Sequence, residues 1–356
     1  MSELVQSHRP QSRLRYVLLA TVSSVVLICA AFSQRACASE DDHPIVWIEV
    51  GGGLEQISAD ETEWLPPNLT PQIANPKPEP FGKLPVTGFD ADVELSFTPE
   101  DSNWVYSASL RYGRAQHGPK NSHDQSYKFH NLFNYFHSKY QWTNYDFANT
   151  AQQSHSRHAI IDFMAGKDVG LGFLGGKSVI SAGLRIAQLN ETTEGRLTAF
   201  VSATQLYSPG EVGHKAELIA ARSFSGIGPE VTWDASAPLI GSLSGGFSFD
   251  WGVNAAILFG RQKAAVSLHT KDIRYYPSHQ TVLSQSSQAP LRNKTVVVPN
   301  VGGFAGLSWH LPNAKLSLGY RADFFFSAID GGLESAKKET RGFYGPFATV
   351  SIGIGG

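Results

Sequence analysis

Six histidines, His117, His123, His130, His137, His155 and His158, crowd one stretch of the chain, and imidazoles in such number could bind a soft divalent metal. Their spacings match no standard ligand set and no carboxylate pattern accompanies them. An exposed polar loop with aromatic contact residues is the better reading. Ser154-His155-Ser156 and the region from Asp162 to Asp168 offer the residue types of a nucleophile system, but in no recognised spacing. Gly170-Leu171-Gly172-Phe173-Leu174-Gly175 matches the dinucleotide fingerprint by letters. That fingerprint works only where a strand opens into a helix whose N-terminus meets the pyrophosphate. No helix pattern follows, so the segment reads as a glycine-rich β-turn. These three candidates leave an expectation of no enzymatic activity, no cofactor and no bound metal.

Charge on one face of a strand is the stronger signal. In FDADVELSFTPE, Phe89, Ala91, Val93, Leu95 and Phe97 alternate with Asp90, Asp92, Glu94, Ser96 and Thr98 before Pro99 opens a turn. Such a strand has one oily face and one acidic face. Arg111, Arg185, Arg321 and Asp323 fall on the polar side of other alternating segments. Opposite charges on polar faces can pair if those faces share an interior.

The elements that would position them are strands. High glycine (34 residues) and 11% aromatics beside two Met and two Cys favour short turns and β-structure. Period-two alternation recurs in about ten segments, near 45–58, 88–98, 103–117, 157–172, 178–203, 214–236, 246–263, 295–311, 314–328 and 342–355; eight or twelve strands remain open. Short connectors at 99–102, 173–177, 238–245 and 312–313 alternate with long ones at 59–87, 118–156, 204–213, 264–294 and 329–341. Strict alternation of tight and long connections is the layout of an outer-membrane barrel. The expected fold is therefore all-β, a single antiparallel up-and-down transmembrane β-barrel.

Several further features agree. Arg9, Arg13 and Arg15 precede an apolar stretch from Val17 to Phe32 and an Ala36-Cys37-Ala38 site, the form of a secretory signal peptide over 1–38. An N-terminal anchor is the competing reading, but the apolar core is short for a span. Cleavage there would leave 356 − 38 = 318 residues without cysteine. No later apolar run approaches the roughly 18 residues of a transmembrane helix. A formal charge of −2 gives no basic field for nucleic acid. The polar faces are Ser, Gly, Asn, Asp and Arg with little Lys, which suits a crowded interior better than a solvated sandwich face. Trp47, Trp104, Tyr112, Trp309, Tyr320, Phe324 and Phe343 sit where interfacial aromatic girdles would fall.

Four phrases, DSNWVYSASLRYGR (101–114), RSFSGIGPEVTWD (222–234), FDWGVNAAILFGRQK (249–263) and GYRADFFFSAIDGG (319–332), resemble the Legionella-type pore-forming outer membrane protein family. The resemblance spans most of the chain past residue 38, through barrel landmarks and not through a catalytic signature. It implies an outer-membrane barrel assigned to pore formation, and nothing on substrate. The terminal VSIGIGG departs from the aromatic ending that the assembly machinery reads in most such barrels.

The expected function is thus a narrow pore in a bacterial outer membrane passing small solutes or ions, with Asp90, Asp92, Glu94, Arg111, Arg185, Arg321 and Asp323 lining or plugging its lumen. The alternative is a non-conducting structural or adhesive barrel acting through its external loops, foremost 118–156. Expected partners are outer-membrane lipid, the barrel assembly machinery and small solutes or ions.

Overall fold

The computed structural model describes residues 46–58, 63–64, 79–80, 86–100, 102–131, 141–170, 176–201, 211–242, 245–275, 280–288, 291–332 and 336–355. The expected signal peptide, 1–38, lies outside them. The strands in chain order are β1 (Val46–Ser58), β2 (Glu63–Trp64), β3 (Glu79–Pro80), β4 (Val86–Phe97), β5 (Trp104–Asn131), β6 (Gln141–Asp168), β7 (Lys177–Val201), β8 (Glu211–Ser242), β9 (Gly245–Tyr275), β10 (Gln280–Gln288), β11 (Leu291–Leu311), β12 (Ala314–Asp330) and β13 (Lys338–Ile354). No helix occurs among the described residues.

Ten strands form one closed antiparallel wall in the order β1-β4-β5-β6-β7-β8-β9-β11-β12-β13, and β13 pairs back onto β1. The minor strand β10 continues the line of β11 along β9, and β2 and β3 form a separate two-stranded ladder. Cα partners can be followed around the wall from Val46 through Phe97, Tyr106, Ala165, Ala182 and Val231. The line continues through Ala255, Val301, Phe324 and Gly342 and returns to Ser58 of the starting strand. The return is displaced by 58 − 46 = 12 residues, the shear of the barrel. That stagger over ten strands tilts them by about 40° from the barrel axis, as closure requires.

Closure leaves no barrel edge and gives every strand one inner and one outer face. Outward side chains such as Val50, Leu95, Phe163, Leu184, Phe259, Leu307 and Leu318 are exposed and apolar. Between Trp104 and Tyr112 on β5, and across the matching stretch of the other nine strands, the only charged residue on the outward face among those described is Lys167, at the lower boundary opposite Trp104. The polar faces point inward, so Asp90, Arg185 and Asp323 are buried.

Two expectations need correction. The strands run further than hydropathy alternation indicated: β5 and β6 pair from Trp104↔Lys167 to Asn131↔Gln141, inside the expected loop 118–156. Strand β10 and the end of β9 likewise occupy much of the expected loop 264–294, β12 and β13 reach into 329–341, and β2, β3 and the start of β4 lie within 59–87. Alternation reports burial of one face. A ladder propagating from an anchored hairpin needs only backbone partners, so it continues through polar sequence. The second correction is Phe343, expected in an aromatic girdle. It is buried in the interior, because it shares the inward phase of β13 with Phe347 and Thr349.

Candidate functional site

The interior of the barrel is stratified, and the expected charged residues fall in its middle layer. Arg185, from β7, reaches across to strands on the far wall. Its Nε and Nη2 donate to the two carboxylate oxygens of Asp162 at 2.8 Å each, a bidentate fork. Nη1 donates to Asn254 at 3.0 Å and also to Asn300. Glu230 Oε1 stands 2.7 Å from Nη2 and Asp323 Oδ1 3.7 Å from Nη1. Arg111 Nη1 donates to Asp323 at 2.6 Å. A second cluster centres on Arg321, whose Nη2 lies 2.8 Å from both Asp90 and Asp92 and whose guanidinium sits 5.2 Å from the Phe347 ring centroid.

Six of the seven expected residues are therefore consumed in ion pairs spanning the lumen. Glu94 is the exception. It stands one inward position nearer the short turns, in register opposite Glu49, and with Asp234, Asp250 and Lys315 lines a cavity of about 480 Å³ whose wall is completed by the paired Asp92, Arg111, Arg185, Arg321 and Asp323. Asp250 accepts hydrogen bonds from Ser236, Ser248 and Ser308 at 2.6 Å each, and Lys315 stands 3.6 Å from it.

On the other side of the charge layer the lumen is apolar. Ile57, Ile160, Leu189, Phe224, Leu258, Val298, Phe325, Ile329 and Phe343 belong to one buried cluster to which every barrel strand except β4 contributes. Glu55 and His158 sit inside it, with Nδ1 3.4 Å from Oε1 and the imidazole 4.3 Å from the Phe343 ring. Gly113 makes room for that pair, since a Cβ there would stand 2.1 Å from His158 Cε1.

The outer end of β12 completes this layer. Its register breaks between Phe325 and Ile329, Ser327 adopts φ 57°, and residues 328–332 are all buried. A regular strand would expose alternate residues, so this segment leans across the lumen. Three side chains from the neighbouring walls hold it there. Gln262 Nε2 donates to Ser327 O at 3.3 Å, Arg222 Nη2 to Gly331 O at 3.2 Å, and Arg292 Nε to Asp330 at 2.7 Å. Beyond it Arg341 binds Glu191 at 3.0 Å and Glu339 at 2.8 Å.

Asp162, Glu230, Asn254 and Asn300 were not among the expected site residues, although each lies on the inward phase of its strand. That phase was the signal that could have found them. His158 points inward while His155 and Arg157 fall on the other face, so the alternation itself separates the histidines. Among the described residues no group of three or more His, Cys, Asp or Glu is placed to hold a metal ion; His137 lies outside them. Gly170, φ 65°, opens a turn with its amide on Asp168 Oδ1 at 2.9 Å, and residues 171–175 lie outside the described residues.

No protein-family model matches the chain, and no curated protein matches it. Among solved structures, the translocator domain of the autotransporter NalP from Neisseria meningitidis aligns over 94% of this chain and 97% of its own, at 9% identity and a TM-score of 0.23. The transport unit of the autotransporter AIDA-I from Escherichia coli aligns over 98% and 100%, at 10% identity and a TM-score of 0.22. The outer membrane protein OmpT of Vibrio cholerae aligns over 87% and 99%, at 8% identity and a TM-score of 0.12. Likeness this distant carries no argument about what the chain does.

Proposed function

We propose that this chain spans a bacterial outer membrane as a ten-stranded barrel whose lumen is closed, and that it works as a surface-anchored structural or adhesive protein through the tall strands β5 to β9. The observation that carries the membrane reading is the uncharged outer band. On β5 it is bounded by Trp104 and Arg114, ten residue steps apart, and on β6 by Lys167 and Arg157, again ten steps. At ~3.3 Å per residue and a tilt of about 40°, ten residues climb about 25 Å, the height of the apolar band on an outer-membrane barrel. Lipid would solvate that band, and the barrel assembly machinery would place it there. No enzymatic step, cofactor or nucleic acid enters this reading.

The closed lumen supports the second half. Paired charges cross the middle, and a layer of buried apolar side chains lies above them. A path for ions would need both to part. Meanwhile β8 and β9, with 32 and 31 residues, are more than twice the length of β4 with 12 and β1 with 13. Strand that exceeds the band has no role in crossing it, and it carries the connecting loops, where binding residues concentrate, away from the membrane.

One observation favours the narrow pore implied by the Legionella-type resemblance: the cavity beside Glu94, which has the charge and size for hydrated ions. Conductance in a planar bilayer separates the two, with heat-shifted gel mobility showing that the barrel is folded. The closed reading expects a folded barrel and no discrete steps. Steps whose ion preference changes with Asp90→Asn, Asp92→Asn and Glu94→Gln would overturn it for the pore. Recovery of the protein in the soluble periplasmic fraction would remove both.

A further inference from the structure

Just above the uncharged band, Arg114 of β5 and Arg157 of β6 stand directly opposite each other on the outward face, both exposed. Residues in direct register have Cβ atoms about 5 Å apart, and like charges there repel. Neither arginine has an acidic partner among the described residues. Their outward neighbours are Phe89 across the β4 ladder, Asn190 across the β7 ladder, and Gln116 and His155 one outward pair further from the band. None of those side chains is a carboxylate, whereas Arg111, the interior arginine of β5, is paired with Asp323.

We infer that Arg114 and Arg157 together grip the phosphate of an anionic lipid of the outer leaflet. Two guanidiniums side by side present paired N–H donors that match phosphate oxygens bidentately, and a shared dianion relieves their mutual repulsion. Their height fixes the source of the phosphate: they sit about 25 Å along the barrel axis from the Trp104↔Lys167 pair that marks the inner boundary, at the level of the opposite headgroups. Phe89 and Tyr112 lie just below on the same face, where acyl chains begin. Basic residues next to an apolar span are the general signature of acidic-headgroup binding.

The inference rests on the membrane-spanning reading, and the test keeps the two apart. The full chain, folded in detergent and checked by heat-shifted mobility, is titrated with diphosphorylated lipid A and with the same lipid stripped of its phosphates. Wild type should prefer the phosphorylated lipid by about tenfold or more. The Arg114→Gln/Arg157→Gln double variant should lose that preference, and Arg196→Gln, which removes an exposed pair to Glu217, should keep it. Equal binding by wild type and double variant, or full competition by millimolar inorganic phosphate, would overturn the lipid site. In parallel, wild type and double variant are reconstituted into vesicles and washed with carbonate. Failure of the membrane reading strips both from the vesicles, whereas failure of the lipid site alone leaves both inserted.

Discussion

The two halves of the lumen are built by the same strands yet differ in kind. Toward the short turns the inward positions are Ser248, Asp250 and Asn254 on β9, Ser317, Arg321 and Asp323 on β12, and Ser351 and Thr349 on β13. Toward the long connectors the same phases become Ala256 and Leu258, Phe325, and Phe343. The switch is sharp on five strands, between Asp323 and Phe325, Asn254 and Ala256, Asn300 and Val298, Asp162 and Ile160, Arg185 and Ala187. A barrel of this size is filled by its own side chains. The difference teaches that filling is done twice, once by charges that satisfy each other and once by hydrocarbon that excludes water. The apolar layer caps the charge layer on one side, and on the other the charges border an open polar cavity.

The largest effect should come from the hub. Arg185 holds Asp162 and Glu230, and removing a buried partner leaves their charges uncompensated, at a cost of about 3–5 kcal/mol. Arg185→Met should therefore lower the urea midpoint of the folded barrel more than any single change at Glu94, Asp234 or Lys315. A midpoint within experimental error of wild type would mean that the middle layer is hydrated and the two halves are not distinct. Next comes the apolar layer. Phe325 is fully buried, and Phe325→Ala should destabilise by about 3 kcal/mol through lost transfer energy and a residual cavity. It also attacks the seal directly, so brief current steps should appear in the planar bilayer where wild type gives none.

How much of this was legible in the sequence follows from what alternation encodes. The barrel, its ten strands and the inward phase of Asp90, Asp92, Arg111, Arg185, Arg321 and Asp323 were all readable, because period two assigns a face to every residue at once. The partners were not. Asp162 pairs with Arg185 in register on the next strand, but Asn254 and Asn300 reach it across the lumen, and nothing in one strand's pattern states what lies opposite through the barrel's centre. The inward lean of β12 was also hidden. It depends on a register break at Phe325 and on side chains from β8, β9 and β11, and GYRADFFFSAIDGG reads equally well as a strand running straight on.

A smaller effect belongs to that leaning segment. Burial alone would push the Asp330 carboxyl up, but Arg292 and the backbone amides of Lys337 and Gly332 outweigh it and hold it below the ordinary carboxylate range. A depressed folded value adds stability that is present above the unfolded pKa of about 3.9 and is lost as pH falls through the folded value. Protection of 328–332 from limited proteolysis should thus persist down to about pH 4 and weaken below it. Asp330→Asn should remove that pH dependence while leaving the barrel's gel shift intact.

The smallest effect should be at Glu94, and it tests the comparison from the cavity side. Glu94 faces Glu49 in register and makes no ion pair among the described residues, unlike the six other charges expected with it. Like charges in direct register oppose pairing by a few tenths of a kcal/mol. Glu94→Gln removes the repulsion and keeps the shape, so the urea midpoint should stay level or rise slightly. Asp323→Asn, one layer away and buried between Arg111 and Arg185, should lower it clearly. If both changes destabilise alike, Glu94 belongs to the paired layer and the boundary lies closer to the short turns than Asp250. If neither does, the ion pairs across the lumen hold no structure together, and the apolar layer alone keeps the barrel closed.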